Sequence, residues 1–109
     1  MEYKIKDIFG YEGLYTIDTL GVVRGKKGIV KPFINNSGYY QIDLYKNGVR
    51  RKFLIQRLVA EAFIPNSCNW KYTDVDHIDN NRLNNKVENL QWTTHKTNMN
   101  YRKQRKNPV

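Results

Sequence analysis

The sequence predicts an α+β fold: a small antiparallel β-sheet with a short helix comes first, then a strand–turn–strand unit leading into a second helix. Three observations carry this. Asn47-Gly48 sits between two β-rich runs, an amphipathic stretch follows them directly, and beyond Pro65 short β-prone segments alternate with Asp and Asn turns.

The elements follow in chain order. Leu14–Ile17 and Gly21–Arg24 are short runs of β-prone residues, and Gly25–Gly28 reads as a turn. Asn-Gly tolerates positive φ at both central positions of a type I′ turn, so Tyr39 to Ile55 reads as a hairpin. Its register sets Lys46 opposite Val49, Leu44 opposite Arg51, Ile42 opposite Phe53 and Tyr40 opposite Ile55. Tyr40, Ile42, Leu44, Val49, Phe53 and Ile55 then share one face. From Gln56 to Ile64, the apolar residues Leu58, Val59, Ala62 and Phe63 line one side of a short helix that Pro65 and Asn66 stop.

Residues 65–71 read as a connecting loop, and Tyr72–Ile78 as a strand. Asp79-Asn80-Asn81 is a turn with Asn80 in the left-handed region, and Asn84–Asn89 is a further loop. Leu90–Trp92 is a brief strand. Thr93 or Thr94 can cap a helix running from about His95 to about Arg105. Leu83, Val87, Leu90 and Trp92 are expected in a local core. The chain thus divides into a β-rich module over 1–64 and a second module over 65–109.

Composition narrows the function. Nineteen Lys and Arg against ten Asp and Glu give a formal net charge of +9, a field that attracts polyanions. Nucleic acid is the expected partner. No segment resembles a signal peptide or a membrane span, which fits a cytoplasmic location. The single cysteine, Cys68, excludes an intrachain disulfide and a zinc knuckle. The sequence leaves the oligomeric state open, a monomer included.

One constellation points to chemistry. Asp76-His77 lies on the predicted strand after the loop, Asn89 at the start of the next strand, and Asn98 inside the last helix. A hairpin packed on a helix can gather them around one small cation. An imidazole titrating near neutrality can take a proton from water. A carboxylate and an amide oxygen are hard donors suited to Mg²⁺, Mn²⁺ or Ca²⁺. Such a set suits phosphodiester hydrolysis, which needs an activated water and neutralised phosphate charge.

These residues also carry a resemblance. VDHIDNNRLNNKVENLQWTTHKTNMN resembles the motif of HNH endonucleases of the phage and homing type. IKDIFGYEGLYTIDTLGVVR resembles an N-terminal module common in those enzymes, and FLIQRLVAEAFIPN the segment that joins the two. The resemblance implies a ββα-metal fold for the second module and a metal-dependent DNA endonuclease. His77 would be the general base. Asp76 and Asn98 would hold the divalent metal, Mg²⁺ first and Mn²⁺ next. Asn89 would hold the loop and orient His77. His95 is the runner-up to Asn98 as the last ligand. Gln56 stands where many relatives have His and is assigned no role. Asn80 stands where many have Gly.

Contacts to double-stranded DNA are expected from Arg50, Arg51 and Lys52 on the hairpin and from Arg82 and Lys86 in the motif loop. His95, Lys96, Arg102, Lys103, Arg105 and Lys106 at the last helix would add to them. A phage origin would place the protein in a bacterial host cell. The alternatives are a non-catalytic basic DNA-binding module and an interaction domain whose charge serves solubility.

Overall fold

The computed structural model describes residues 2–66, 68 and 71–95. Four short strands open the chain: β1 (Ile5–Asp7), β2 (Thr16–Asp18), β3 (Val23–Gly25) and β4 (Gly28–Val30). They form an antiparallel sheet in that order. A second antiparallel sheet holds β5 (Phe33–Ile34), β6 (Tyr40–Lys46) and β7 (Val49–Leu54). Helix α1 (Ile55–Phe63) follows without a break. The hairpin of β8 (Asp74–His77) and β9 (Leu90–Thr93) comes last, with a 3₁₀ turn at Val87–Asn89 before β9. The fold is α+β.

The expected single N-terminal sheet is therefore two sheets. β1, β4 and β5 escape sequence reading because they are two or three residues long and largely exposed, with no buried face to impose an alternation. The expected turn at Gly25–Gly28 is the tip of the β3–β4 hairpin, where the two glycines face each other.

The Asn-Gly hairpin forms as predicted. Asn47 and Gly48 have φ of 52° and 78°. Lys46 pairs with Val49, Leu44 with Arg51 and Ile42 with Phe53. Tyr40 does not pair with Ile55. Strand β7 ends at Leu54, Ile55 turns into the helix to reach the core, and Tyr40 pairs with Ile34 of β5. Val49 shares the predicted face but is exposed, because the hairpin tip projects past the core. Helix α1 begins one residue before the predicted start and is closed by the Ile64 amide donating to the Ala60 carbonyl.

One core joins both N-terminal sheets, α1 and the β8–β9 hairpin. Ile8, Tyr11, Ile17 and Val23 come from the first sheet and its loops, and Ile42 and Leu44 from β6. Ile55, Leu58 and Val59 come from α1, and Val87 and Leu90 from the segment leading into β9. Full burial of each large aliphatic side chain contributes about 1.5–3 kcal/mol. Leu83, expected in the core, is instead exposed on the 79–89 loop.

Asp18 is wholly buried and anchors the turn after β2. Its carboxylate accepts from the Leu20 and Val22 amides, the Tyr3 hydroxyl and the Arg24 guanidinium at 2.7 Å. Burial pushes this carboxyl up, but the Arg24 bond and the other donors outweigh it and hold it below the usual range.

Candidate active site

The site is built on β8 and the loop that returns from it. The β8–β9 ladder sets Asp76 opposite Gln91 and His77 opposite Leu90. Neighbouring side chains on a strand point to opposite faces. Asp76 and His77 therefore diverge from one strand, and both are buried. Helix α1 and the residue after it hold the hairpin in place. The Trp92 indole N–H donates to the Ile64 carbonyl, and Arg57 lies over the Trp92 ring while donating to the Thr73 carbonyl.

The loop from 79 to 89 is held by side-chain amides. Asn80 takes φ of 65°, so it fills the left-handed position predicted for it. Asn89 is buried and works as a staple. Its amide nitrogen donates to Asp79 Oδ1 and to the Asn84 carbonyl at 2.9 Å each, and its Oδ1 accepts from the Asp79 amide at 3.0 Å. Asn89 ends the 3₁₀ turn rather than opening β9, because these bonds turn it toward the loop. Asp79 also accepts from the Asn84 side chain and the Asn81 amide, and its carboxyl is held below the usual range mainly by Asn84.

His77 meets two residues that sequence reasoning left out of the site. Its Nε2 lies 2.7 Å from Asn85 Oδ1. Tyr39, from the turn before β6, stacks on its ring at 5.9 Å between centroids and 26° between planes. Burial pushes the imidazole below its ordinary value, against the upward pull of Asn85, Asp76 and Asp79, and Arg82 adds to the push. The ring is therefore neutral near pH 7, the state in which it can accept a proton. Asn85 was legible only as one of several turn-forming asparagines. Tyr39 carried no signal, since it lies 38 residues before His77.

Asp76 is buried, and Gln91 Nε2 donates to its Oδ2 at 3.0 Å. A buried carboxylate is costly unless hydrogen bonds or a cation compensate it. The hard oxygen donor in that setting fits a divalent cation such as Mg²⁺. Among the described residues no three His, Cys, Asp or Glu side chains cluster, so acids and histidines alone do not build the ligand set there. Asn98, the expected second ligand, lies outside the described residues, as do Lys96, Arg102, Lys103, Arg105, Lys106 and the helix predicted to carry them. His95 is exposed and its Nδ1 lies 2.9 Å from Asp74 Oδ2.

The other expected DNA-contacting residues fall on two surfaces. Arg50, Arg51 and Lys52 are exposed on β7, with Arg50 3.9 Å from Asp43. Arg82 and Lys86 are exposed on the 79–89 loop. Arg82 donates to the Ser37 carbonyl at 2.7 Å and lies over the Tyr39 ring.

A family profile described as HNH endonuclease matches residues 53–100, and one described as the NUMOD4 motif matches residues 6–45. The chain carries an HNH endonuclease domain joined to a NUMOD4 motif. It is 40% identical over 99 residues to the DNA endonuclease I-HmuI of Bacillus phage SP01, covering 86% of this chain and 54% of that protein. It is 41% identical over 88 residues to an uncharacterised HNH endonuclease of Acanthamoeba polyphaga mimivirus, covering 80% of this chain and 26% of that one. A putative HNH homing endonuclease of a Bacillus subtilis prophage, YosQ, is 39% identical over 80% of this chain and 51% of its own length. The solved structure of the HNH homing endonuclease I-HmuI, on DNA binding and cleavage, matches with a TM-score of 0.85 and 37% identity. It covers all of this chain and 62% of that one. The chain thus spans about a quarter to a half of the length of these curated relatives.

Proposed function

We propose that this HNH protein is a metal-dependent endonuclease that hydrolyses phosphodiester bonds of double-stranded DNA. His77 supports this most directly: a buried imidazole, held below its ordinary pKa by burial, one position along the strand from the buried Asp76 carboxylate. His77 takes a proton from the attacking water as the new P–O bond forms, the bond from phosphorus to the departing 3′ oxygen breaks, and that oxygen takes a proton from solvent water to leave as a hydroxyl. Asp76, with Asn98, would hold the divalent cation, Mg²⁺ first and Mn²⁺ next. Bound there, it supplies neutralising charge to the phosphate and the departing oxygen. Asn89 keeps the 79–89 loop in the shape that seats His77.

Arg50, Arg51, Lys52, Arg82 and Lys86 contact phosphates, joined by His95, Lys96, Arg102, Lys103, Arg105 and Lys106. Phosphate contacts position the duplex without reading its sequence. In this reading residues 65–109 carry the chemistry and residues 1–64 support it. The proposed site of action is a bacterial cytoplasm. Among the described residues no helix is long and apolar enough to cross a membrane.

The test is cleavage of supercoiled plasmid at low salt, with Mg²⁺ or Mn²⁺ and with chelator. The protein cuts only with metal. His77→Ala lowers the rate by about 10²–10⁴-fold and leaves DNA affinity within about twofold, with affinity falling steeply as salt rises. Plasmid left intact with either metal overturns the enzyme reading. Retained, salt-sensitive binding would then point to a non-catalytic DNA-binding module.

A further inference from the structure

Residues outside the predicted ligand set hold the His77 ring at two independent points. The first is the 2.7 Å contact from Nε2 to Asn85 Oδ1. An amide oxygen can only accept a hydrogen bond, so Nε2 carries the proton, and a neutral ring then has its lone pair on Nδ1. The second is the Tyr39 ring, stacked on the imidazole from the N-terminal part of the chain.

Both partners are themselves held. A Cβ added at Gly21 would come within 3.2 Å of the Asn85 carbonyl oxygen and 3.3 Å of its Cβ, so the turn after β2 is pressed against Asn85. Two residues on, the Val87 amide donates to the Thr19 carbonyl at 2.9 Å and ties that turn to the loop. Tyr39 is held through Arg82, whose guanidinium lies 5.0 Å from the Tyr39 ring centre and donates to the Ser37 carbonyl. The segment matched by the NUMOD4 motif therefore reaches the histidine of the HNH motif both directly and through Asn85.

We propose that Asn85 and Tyr39 are positioning residues for His77: Asn85 selects the Nε2–H tautomer, Tyr39 sets the plane of the ring, and the N-terminal module is part of the active centre. This rests on His77 being the general base. A base must present one particular nitrogen in one orientation, and a ring free to exchange tautomers or rotate meets that condition for only part of the time.

The experiment has one arm that needs no cleavage. The imidazole ¹⁵N signals of His77, read by long-range proton–nitrogen NMR in the metal-free protein at neutral pH, report which nitrogen is protonated. Wild type shows the Nε2–H form, and Asn85→Asp, which keeps an acceptor oxygen, shows it too. Asn85→Leu shifts the signals toward exchange or the Nδ1–H form. In single-turnover cleavage at saturating DNA, Asn85→Leu falls about 10–100-fold with DNA affinity held within about twofold. Tyr39→Leu loses about tenfold, since a displacement of ~1 Å can cost up to a hundredfold. Tyr39→Phe, which keeps the ring, restores the rate. A wild-type Nδ1–H ring, or Asn85→Leu with the wild-type tautomer and rate, overturns the assignment. If the protein cuts no DNA, the enzyme reading falls alone, and the ring spectrum still decides what Asn85 does.

Discussion

The turn at Asp18 and the loop at Asp79 are built alike: an acidic side chain collects amide donors and fixes a bend between strands. Their surroundings differ. Asp18 is wholly buried and takes the Arg24 guanidinium as a partner. Asp79 is exposed, and its partners are the Asn81 amide and the side chains of Asn84 and Asn89. A buried carboxylate needs a countercharge, whereas a hydrated one needs only geometry. The Asp18 turn serves the fold and, through Gly21 and Thr19, presents a rigid surface to the motif loop. The Asp79 loop shapes the site.

Opposite responses to truncation would sharpen this contrast. Asn89→Ala removes three hydrogen bonds that close the 79–89 loop. We expect cleavage to fall about 10–100-fold, with a smaller loss of global stability, about 1 kcal/mol. Asp18→Ala strands several donors in and around a buried turn and should cost about 1–3 kcal/mol. That lowers Tm by about 4 °C for each kcal/mol in a chain of this size, while the rate per folded molecule changes little. Thermal melts and single-turnover rates on both variants decide it. If Asp18→Ala loses rate at full folding, or Asn89→Ala loses only stability, the division of labour is wrong.

Acid separates the two regions next. The His77 pKa in the folded protein lies below its ordinary value of 6.5, chiefly through burial. The unfolded chain therefore binds the proton first, and stability falls as pH drops below about 6.5. The Asp18 carboxyl is also held low, so its contribution is intact above the ordinary carboxylate value of 3.8 and fades as pH falls below that. Denaturant titrations across this range should show a shallow loss beginning near pH 6.5 that His77→Gln removes, then a steeper one in the carboxylate range. A flat profile from pH 7 to 5 would mean that His77 is not desolvated in the folded state.

How much of this was legible follows the range of each interaction. The Asn47-Gly48 hairpin could be read with its register, because the turn type is local and the pairing follows from it. Asp76, His77 and Asn89 stand out as candidates because the motif keeps them close in sequence. Ile55 broke the predicted ladder because the core, not the hairpin, claims that side chain. Asn85 looked like its neighbours until the fold set it against Nε2, and Tyr39 reaches His77 only through tertiary packing. The Tyr39 contact is long-range, and which loop asparagine meets the ring depends on the folded path of the loop; a one-dimensional pattern encodes neither.

The smallest expected effect concerns the protein's other histidine. The His95 side chain is 74% exposed, and its nearest acid is Asp74 at 2.9 Å. An exposed pair of this kind contributes about 0–1 kcal/mol and is screened by salt. As a phosphate contact rather than a metal ligand, His95 should add only to DNA affinity. His95→Ala should then weaken DNA binding by less than about threefold, leave stability within about 0.5 kcal/mol, and keep the Mg²⁺ concentration for half-maximal cleavage unchanged. A large rise in that Mg²⁺ requirement would move His95 into the ligand set in place of Asn98. Asp74 would then join Asp76 in serving the cation rather than the strand.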